Sequence, residues 1–247
     1  MSVCFKCGDY GMPNGCPKCG KDSNNTIDLE SMKNVEEFVN VCEDTNIPHK
    51  FIGILWQKSI IEVDHEMYSN NPNFNRFLSS CDKLHESFVN GNPLATSVFL
   101  FAPPRFGKEH LVYSCMQLAS NHGLSVAPYL DTIELKRLLI LGGMKPEYKL
   151  YGKINYDDYM MSDVVFVKLT QTTYVKDSYS VLLELVSRRS RLNKPTYIIS
   201  ELTLNEVTKY VDSYIGSVWT DVSSVGLNKL KYPSVIGFRP SKDLNRR

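Results

Sequence analysis

The chain has 247 residues, 43% of them apolar, which is enough to bury the core of one large domain or of one domain with a small appendage. Its 28 Lys and Arg against 27 Asp and Glu leave a net charge of +1, so no overall field draws it to nucleic acid, and contact with DNA would have to come from a local patch. No apolar run approaches the ~20 residues that span a bilayer, and the opening MSVCFKCGDYG lacks the apolar stretch of a secretory signal; the expectation is a cytoplasmic protein with no membrane partner.

In that compartment seven cysteines argue against a disulfide framework, and the crowding of four of them at the start argues for a metal. Cys4, Cys7, Cys16 and Cys19 form a C-x2-C-x8-C-x2-C array. Two Cys-x-x-Cys turns each offer a pair of thiolates, and four thiolates close a tetrahedral structural Zn²⁺ site with no open position for catalysis. The stretch between them is rich in turn formers (Gly8, Gly11, Pro13, Asn14, Gly15) and cannot build a core, so the metal would supply the folding energy. Such a module, over residues 1–22, contacts protein or nucleic acid with equal ease.

Polar residues 21–26 read as a linker. Ile27 to Asp44 then spaces Leu29, Met32, Val35, Val39 and Cys42 three or four apart, an amphipathic helix, so that residues 23–46 are linker and helix before the main domain of residues 47–247. Asn73 to Phe88 reads as a second helix, stopped by Asn90-Gly91-Asn92-Pro93.

Ser97 to Leu111, SVFLFAPPRFGKEHL, is the centre of the chain: a β-branched and aromatic run, a tight turn through Pro104, Arg105, Phe106, Gly107 and Lys108, then helical spacing from Leu111 to Cys115 and Leu118. Strand, turn and helix in this order, closed by Gly107-Lys108, read as a phosphate loop, in which backbone N–H groups and a Lys hold phosphates and a Ser or Thr after the Lys holds Mg²⁺; the alternative is a chance strand–turn–helix. Against the pattern G-x-x-x-x-G-K-[ST], the opening glycine is Ala102 and the hydroxyl position is Glu109.

Further strands are expected at Leu124 to Leu130, Asp163 to Leu169, Pro195 to Leu202 and Ser234 to Phe238, and further helices at Thr132 to Leu141, Tyr179 to Arg191 and from Val207 onward, the last opened by a Thr203/Glu206 capping box. Strands alternating with helices imply an α/β fold, a mostly parallel sheet covered on both faces.

The succession SVFLFAPPRFGKEHL, SVAPYLDTIELKRLL, SDVVFVKLT, SRRSRLNKPTYIISELTLNEV and VIGFRPSKDLNRR resembles the AAA+ ATPases of the bacterial replicative-helicase loader and transposition-helper type (DnaC, DnaI, IstB) over about residues 47–247. The resemblance implies a five-stranded αβα core with the phosphate-loop strand beside the sensor strand, ATP or ADP as ligand, and a replicative helicase, another AAA+ subunit or single-stranded DNA as partner, with oligomers as a family habit. It also exposes departures. The two acids of the second motif fall on Lys168 and Leu169, and the sensor Asn falls on Glu201. The arginine finger falls near Ser223-Ser224 with no Arg close by, while Arg239, Arg246 and Arg247 lie near the last sensor arginine. Phosphoryl transfer is mostly positioning and charge neutralisation, so these losses imply little or no ATP hydrolysis.

Three functions follow. The first is a helicase-loader-like binding protein, the second a non-catalytic subunit of a mixed AAA+ assembly or a transposition regulator, and the third a DNA-dependent ATPase with unusual motifs. For DNA contact the candidates are Arg188, Arg189, Arg191 and Lys194, which read equally as a solvated helix end favoured by the macrodipole. Because Glu109 and Lys168 stand where a hydroxyl and a carboxylate would face each other across Mg²⁺, they are expected to form a salt bridge; the alternative is that both point to solvent.

Overall fold

The computed structural model describes residues 35–56, 68, 70–169, 175–203, 206–207 and 234–239. The cysteine module, residues 27–34 of the first predicted helix, the helix beyond Val207, Ser223, Ser224, Arg246 and Arg247 lie outside the described residues.

Five strands, β1 (Val98–Phe101), β2 (Leu130–Asp131), β3 (Phe166–Leu169), β4 (Tyr197–Ser200) and β5 (Ser234–Gly237), form one sheet in the order β2-β3-β4-β1-β5. Every pairing is parallel. The phosphate-loop strand β1 therefore lies beside β4, the sensor strand, as the resemblance implies. Side chains alternate across the sheet. Val98, Leu100, Phe166, Tyr197, Ile199 and Ile236 join one core layer with helices α2 (Pro72–Val89) and α3 (Lys108–Asn121), which bury Phe74, Phe77, Leu84, Leu111 and Cys115; α1 (Val35–Asp44) adds Cys42. On the other face Phe99, Val165, Val167 and Ile198 meet Leu135 and Leu138 of α4 (Thr132–Met144), Tyr159 of α5 (Tyr156–Met161), and Leu182 and Leu185 of α6 (Val175–Arg191). The result is the three-layer αβα arrangement expected from strand–helix alternation.

Local chemistry sets the boundaries. The Asn71 side chain accepts from the backbone N–H of Asn73 and Phe74, with Pro72 at the first helical position of α2. Asp131 and Glu134 close a reciprocal capping box that starts α4. The predicted strand from Leu124 to Leu130 is largely absent: only Leu130–Asp131 pairs continuously, with one isolated parallel bridge from Val126 to Val164. Pro128 explains the interruption, since it has no N–H to give the ladder. Helix α5 was not foreseen; its six residues, opened by the Asn155 side chain accepting from Asp158 N–H, are too few for periodicity to register. Where β1 and β5 end side by side, only glycine fits at 237, because a Cβ there would overlap the Phe101 ring.

Candidate nucleotide site

The chain leaves β1 at Phe101 and enters α3 at Lys108, as the phosphate-loop reading requires. Gly107 makes the final turn at φ 72°, a left-handed conformation that glycine adopts without strain, and Arg105 shares that region at φ 70°. Phe106 does not face outward. It is 3% exposed, with ring centroids 5.5 Å from Phe238, 5.9 Å from Tyr68 and 6.1 Å from Phe74. An aromatic ring in the middle of the turn thus moors the loop to the core layer under α2, which the sequence signalled only as a large apolar residue between Arg105 and Gly107.

Lys108 is buried, and its Nζ donates to the Ala102 carbonyl at 2.6 Å and the Pro103 carbonyl at 2.7 Å. The lysine therefore fastens the start of the loop to its end. Burial pushes its pKa down, against the opposing pull of Glu109 and Glu201, and Lys168 pushes in the same direction as burial.

The next residue, Glu109, accepts from Lys168 Nζ at 2.9 Å. The expected salt bridge is formed. Burial alone would raise the Glu109 pKa, but the Lys168 hydrogen bond and charge outweigh it and hold the carboxyl below its ordinary value. The same hydrogen bond raises Lys168, against partial burial, with Glu201 and Asp131 adding to the rise. The Glu201 carboxylate, exposed just past β4, adds to the upward pull on both lysines. Leu169 points away into the second core layer, 5% exposed.

The residues present do not fit the divalent cation that a phosphate loop ordinarily takes. Mg²⁺ demands oxygen ligands in near-octahedral array. Here the carboxylate following the loop lysine is engaged by an ammonium, the opposite strand offers that ammonium in place of an acid, and among the described residues no group of three His, Cys, Asp or Glu could hold a metal ion.

At the end of β5, Arg239, the described candidate for the last sensor arginine, forms an ion pair with Glu206. That hydrogen bond, with the Thr203 backbone N–H and hydroxyl, holds the Glu206 carboxyl at about 2. Thr203 and Glu206 make the capping box read from the sequence, since Glu206 N–H also donates to Thr203 Oγ1 at 3.2 Å.

The four basic candidates at the end of α6 have different surroundings. Arg189 is fully buried and donates to the carbonyls of Met160 and Ser162 at 2.8 Å and of Pro195 at 2.7 Å, so it can reach no ligand. Lys194 is paired with Asp163 at 2.8 Å, and this bond together with the Ser125 hydroxyl holds Asp163 at about 2. Arg188 pairs with Glu184 at 2.6 Å and donates to the Tyr156 hydroxyl. That leaves Arg188 and Arg191 exposed. Both stand where α6 runs into β4, at the opposite end of the parallel sheet from the phosphate loop.

No family model and no curated protein matches the chain. Among solved structures it is similar to a DNA replication initiation factor, at 14% identity and TM-score 0.48, over 72% of this chain and 50% of that one. The chain thus spans about half the length of that protein. It is also similar to the DnaC helicase loader, at 14% identity and TM-score 0.46, over 69% of this chain and 92% of that one. A third likeness is to DnaI, at 15% identity and TM-score 0.43, over 78% of this chain and 94% of that one.

Proposed function

We propose that this chain is a helicase-loader-like DNA replication protein that binds a replicative helicase, single-stranded DNA or both, with little or no ATP hydrolysis. The observation that carries the reading is the pairing of Lys168 with Glu109 at 2.9 Å beside an otherwise recognisable strand, loop and helix. The strand, loop and helix that would position a nucleotide are kept, while the groups that would bind metal are replaced by Glu109 and Lys168, which satisfy each other, and the acid that would activate water is replaced by the buried Leu169. A domain of this kind acts by presenting surfaces. The contact with the helicase falls to the N-terminal module, in which Cys4, Cys7, Cys16 and Cys19 hold one structural Zn²⁺, and to the helix that follows it.

The test has two arms. Purified full-length protein is assayed for ATP turnover with and without single-stranded DNA, beside Lys108→Ala; the expected rate equals the background of the variant. Turnover that depends on Lys108 and rises with DNA overturns the non-hydrolysing reading. Binding is then measured to the replicative helicase of the organism that encodes the chain, wild type against Cys16→Ser. Retention of helicase by the wild type alone supports the loader reading with the N-terminal module as the contact, and absence of binding to both the helicase and single-stranded DNA overturns it in favour of a subunit of a mixed AAA+ assembly.

A further inference from the structure

We infer that Lys168 has taken the place of the divalent cation of the phosphate loop, so that this site works without Mg²⁺. The inference rests on the reading of residues 102–109 as a phosphate loop and is independent of the partner.

The geometry is specific. Lys168 lies on β3, which β4 separates from β1, and Glu109 lies in the first turn of α3. The strand that carries Lys168 does not adjoin β1, the strand that leads into α3, and the two side chains meet at 2.9 Å. In an intact site the helix supplies a neutral hydroxyl, the strand supplies an anion, and a free cation joins them. Here the strand supplies the cation and the helix the anion, so the same two elements are joined with no third body. Two unrelated losses more often leave small or apolar residues, as at Leu169, than a complementary pair.

The surroundings agree. Lys108 and Lys168 share the site with Glu109, Glu201 and Asp131, whose fields act on one or both of the lysines. Two cations stand against three anions, a cluster close to neutral by its own means. A dication entering it would have to strip Glu109 from Lys168 and then sit against an ammonium. A triphosphate, by contrast, could be met by Lys168 itself, because an ammonium carries three N–H donors and Glu109 uses one.

The test compares ATP affinity, by isothermal titration, in Mg²⁺ and in EDTA. For the wild type ATP is expected to bind in both titrations with affinities that agree within about twofold, and an absence of binding in both overturns the inference. An affinity that Mg²⁺ raises about tenfold or more in the wild type overturns the inference. The double variant Glu109→Thr with Lys168→Asp, its folding checked by thermal melting, is expected to gain Mg²⁺-dependent ATP binding. A folded double variant that stays indifferent to Mg²⁺ overturns the phosphate-loop reading on which the inference rests. Should the double variant fail to fold, the exchange Glu109→Lys with Lys168→Glu keeps the pair, and Mg²⁺ dependence appearing in it overturns the inference.

Discussion

Lys168 Nζ lies 2.9 Å from Glu109 Oε1, and the two side chains keep 41% and 36% of their exposure. Water therefore screens the pair, and its worth is that of a surface ion pair, about 0.2 to 1 kcal/mol, rather than the ~3 to 5 kcal/mol lost when a buried pair is broken. A double-mutant cycle of Glu109→Ala and Lys168→Ala, read by urea unfolding, should return a coupling in the lower range that shrinks as salt is added. Because the folded state lowers the Glu109 pKa, this contribution is present above the unfolded value of about 4.3 and disappears as pH falls through the lower folded value. Coupling of ~3 kcal/mol or more, insensitive to salt, would contradict the exposure.

Arg189 gives the opposite case. Its guanidinium is fully buried, and its donors are spread over the carbonyls of Met160, Ser162 and Pro195, tying the end of α5 to the loop before β4. Burial lowers its pKa to about 10, which still leaves it charged at neutral pH. Arg189→Met strands several carbonyls in the interior and is expected to cost about 3 to 5 kcal/mol. Arg189→Lys should recover only part, since one ammonium cannot reproduce the planar fork. Denaturant unfolding of both variants decides it; a loss under ~1 kcal/mol for Arg189→Met would contradict the network.

These two residues also show what the sequence could and could not tell. The parallel sheet and the capping box at Thr203 were legible from strand–helix alternation and local spacing, whereas the place of β1 beside β4 and the Glu109–Lys168 pair followed from the resemblance to helicase-loader motifs. The burial of Arg189 was not, because Arg188, Arg189 and Arg191 look alike in the sequence, and only the carbonyls of Met160 and Ser162, more than twenty-five residues away, distinguish the middle one. The Leu124 to Leu130 strand failed for a local reason that was available, the missing N–H of Pro128. Phe106 as an anchor was hidden because Phe74 and Phe238 come from distant parts of the chain.

The four clustered cysteines support a separate expectation. Freshly purified protein should contain one zinc per chain by elemental analysis, bound by Cys4, Cys7, Cys16 and Cys19. Cys16→Ser should lose that zinc and leave the cooperative unfolding of the αβα domain unchanged, because the described residues from Cys42 to Phe238 already supply a core layer on each face of the sheet. Protein without stoichiometric zinc, or a variant whose main transition shifts, would refute the expectation.

The last prediction concerns acid stability. His85 on α2 places Nε2 2.8 Å from the Ser114 hydroxyl of α3, and that hydroxyl oxygen accepts the Trp56 backbone N–H at 2.9 Å. The single hydroxyl proton of Ser114 is best used toward His85, which requires an unprotonated Nε2 and a neutral ring with its proton on Nδ1. Burial lowers the His85 pKa, and Asp82, one turn earlier on α2, opposes without overcoming it. The sign follows from linkage. Below the unfolded value of about 6.5 the unfolded chain takes up a proton that the folded chain refuses, so stability falls as the solution is acidified and the fall ends at the lower folded value. Above about 6.5 both states are neutral, and the group contributes no pH dependence. The limiting slope is about 1.4 kcal/mol per pH unit for one such group. His85→Gln, whose amide oxygen can accept from Ser114 without titrating, should flatten the profile between about pH 6.5 and 5 relative to wild type. Urea midpoints across that range make the comparison, and parallel profiles for the two proteins would show that His85 is not the group responsible.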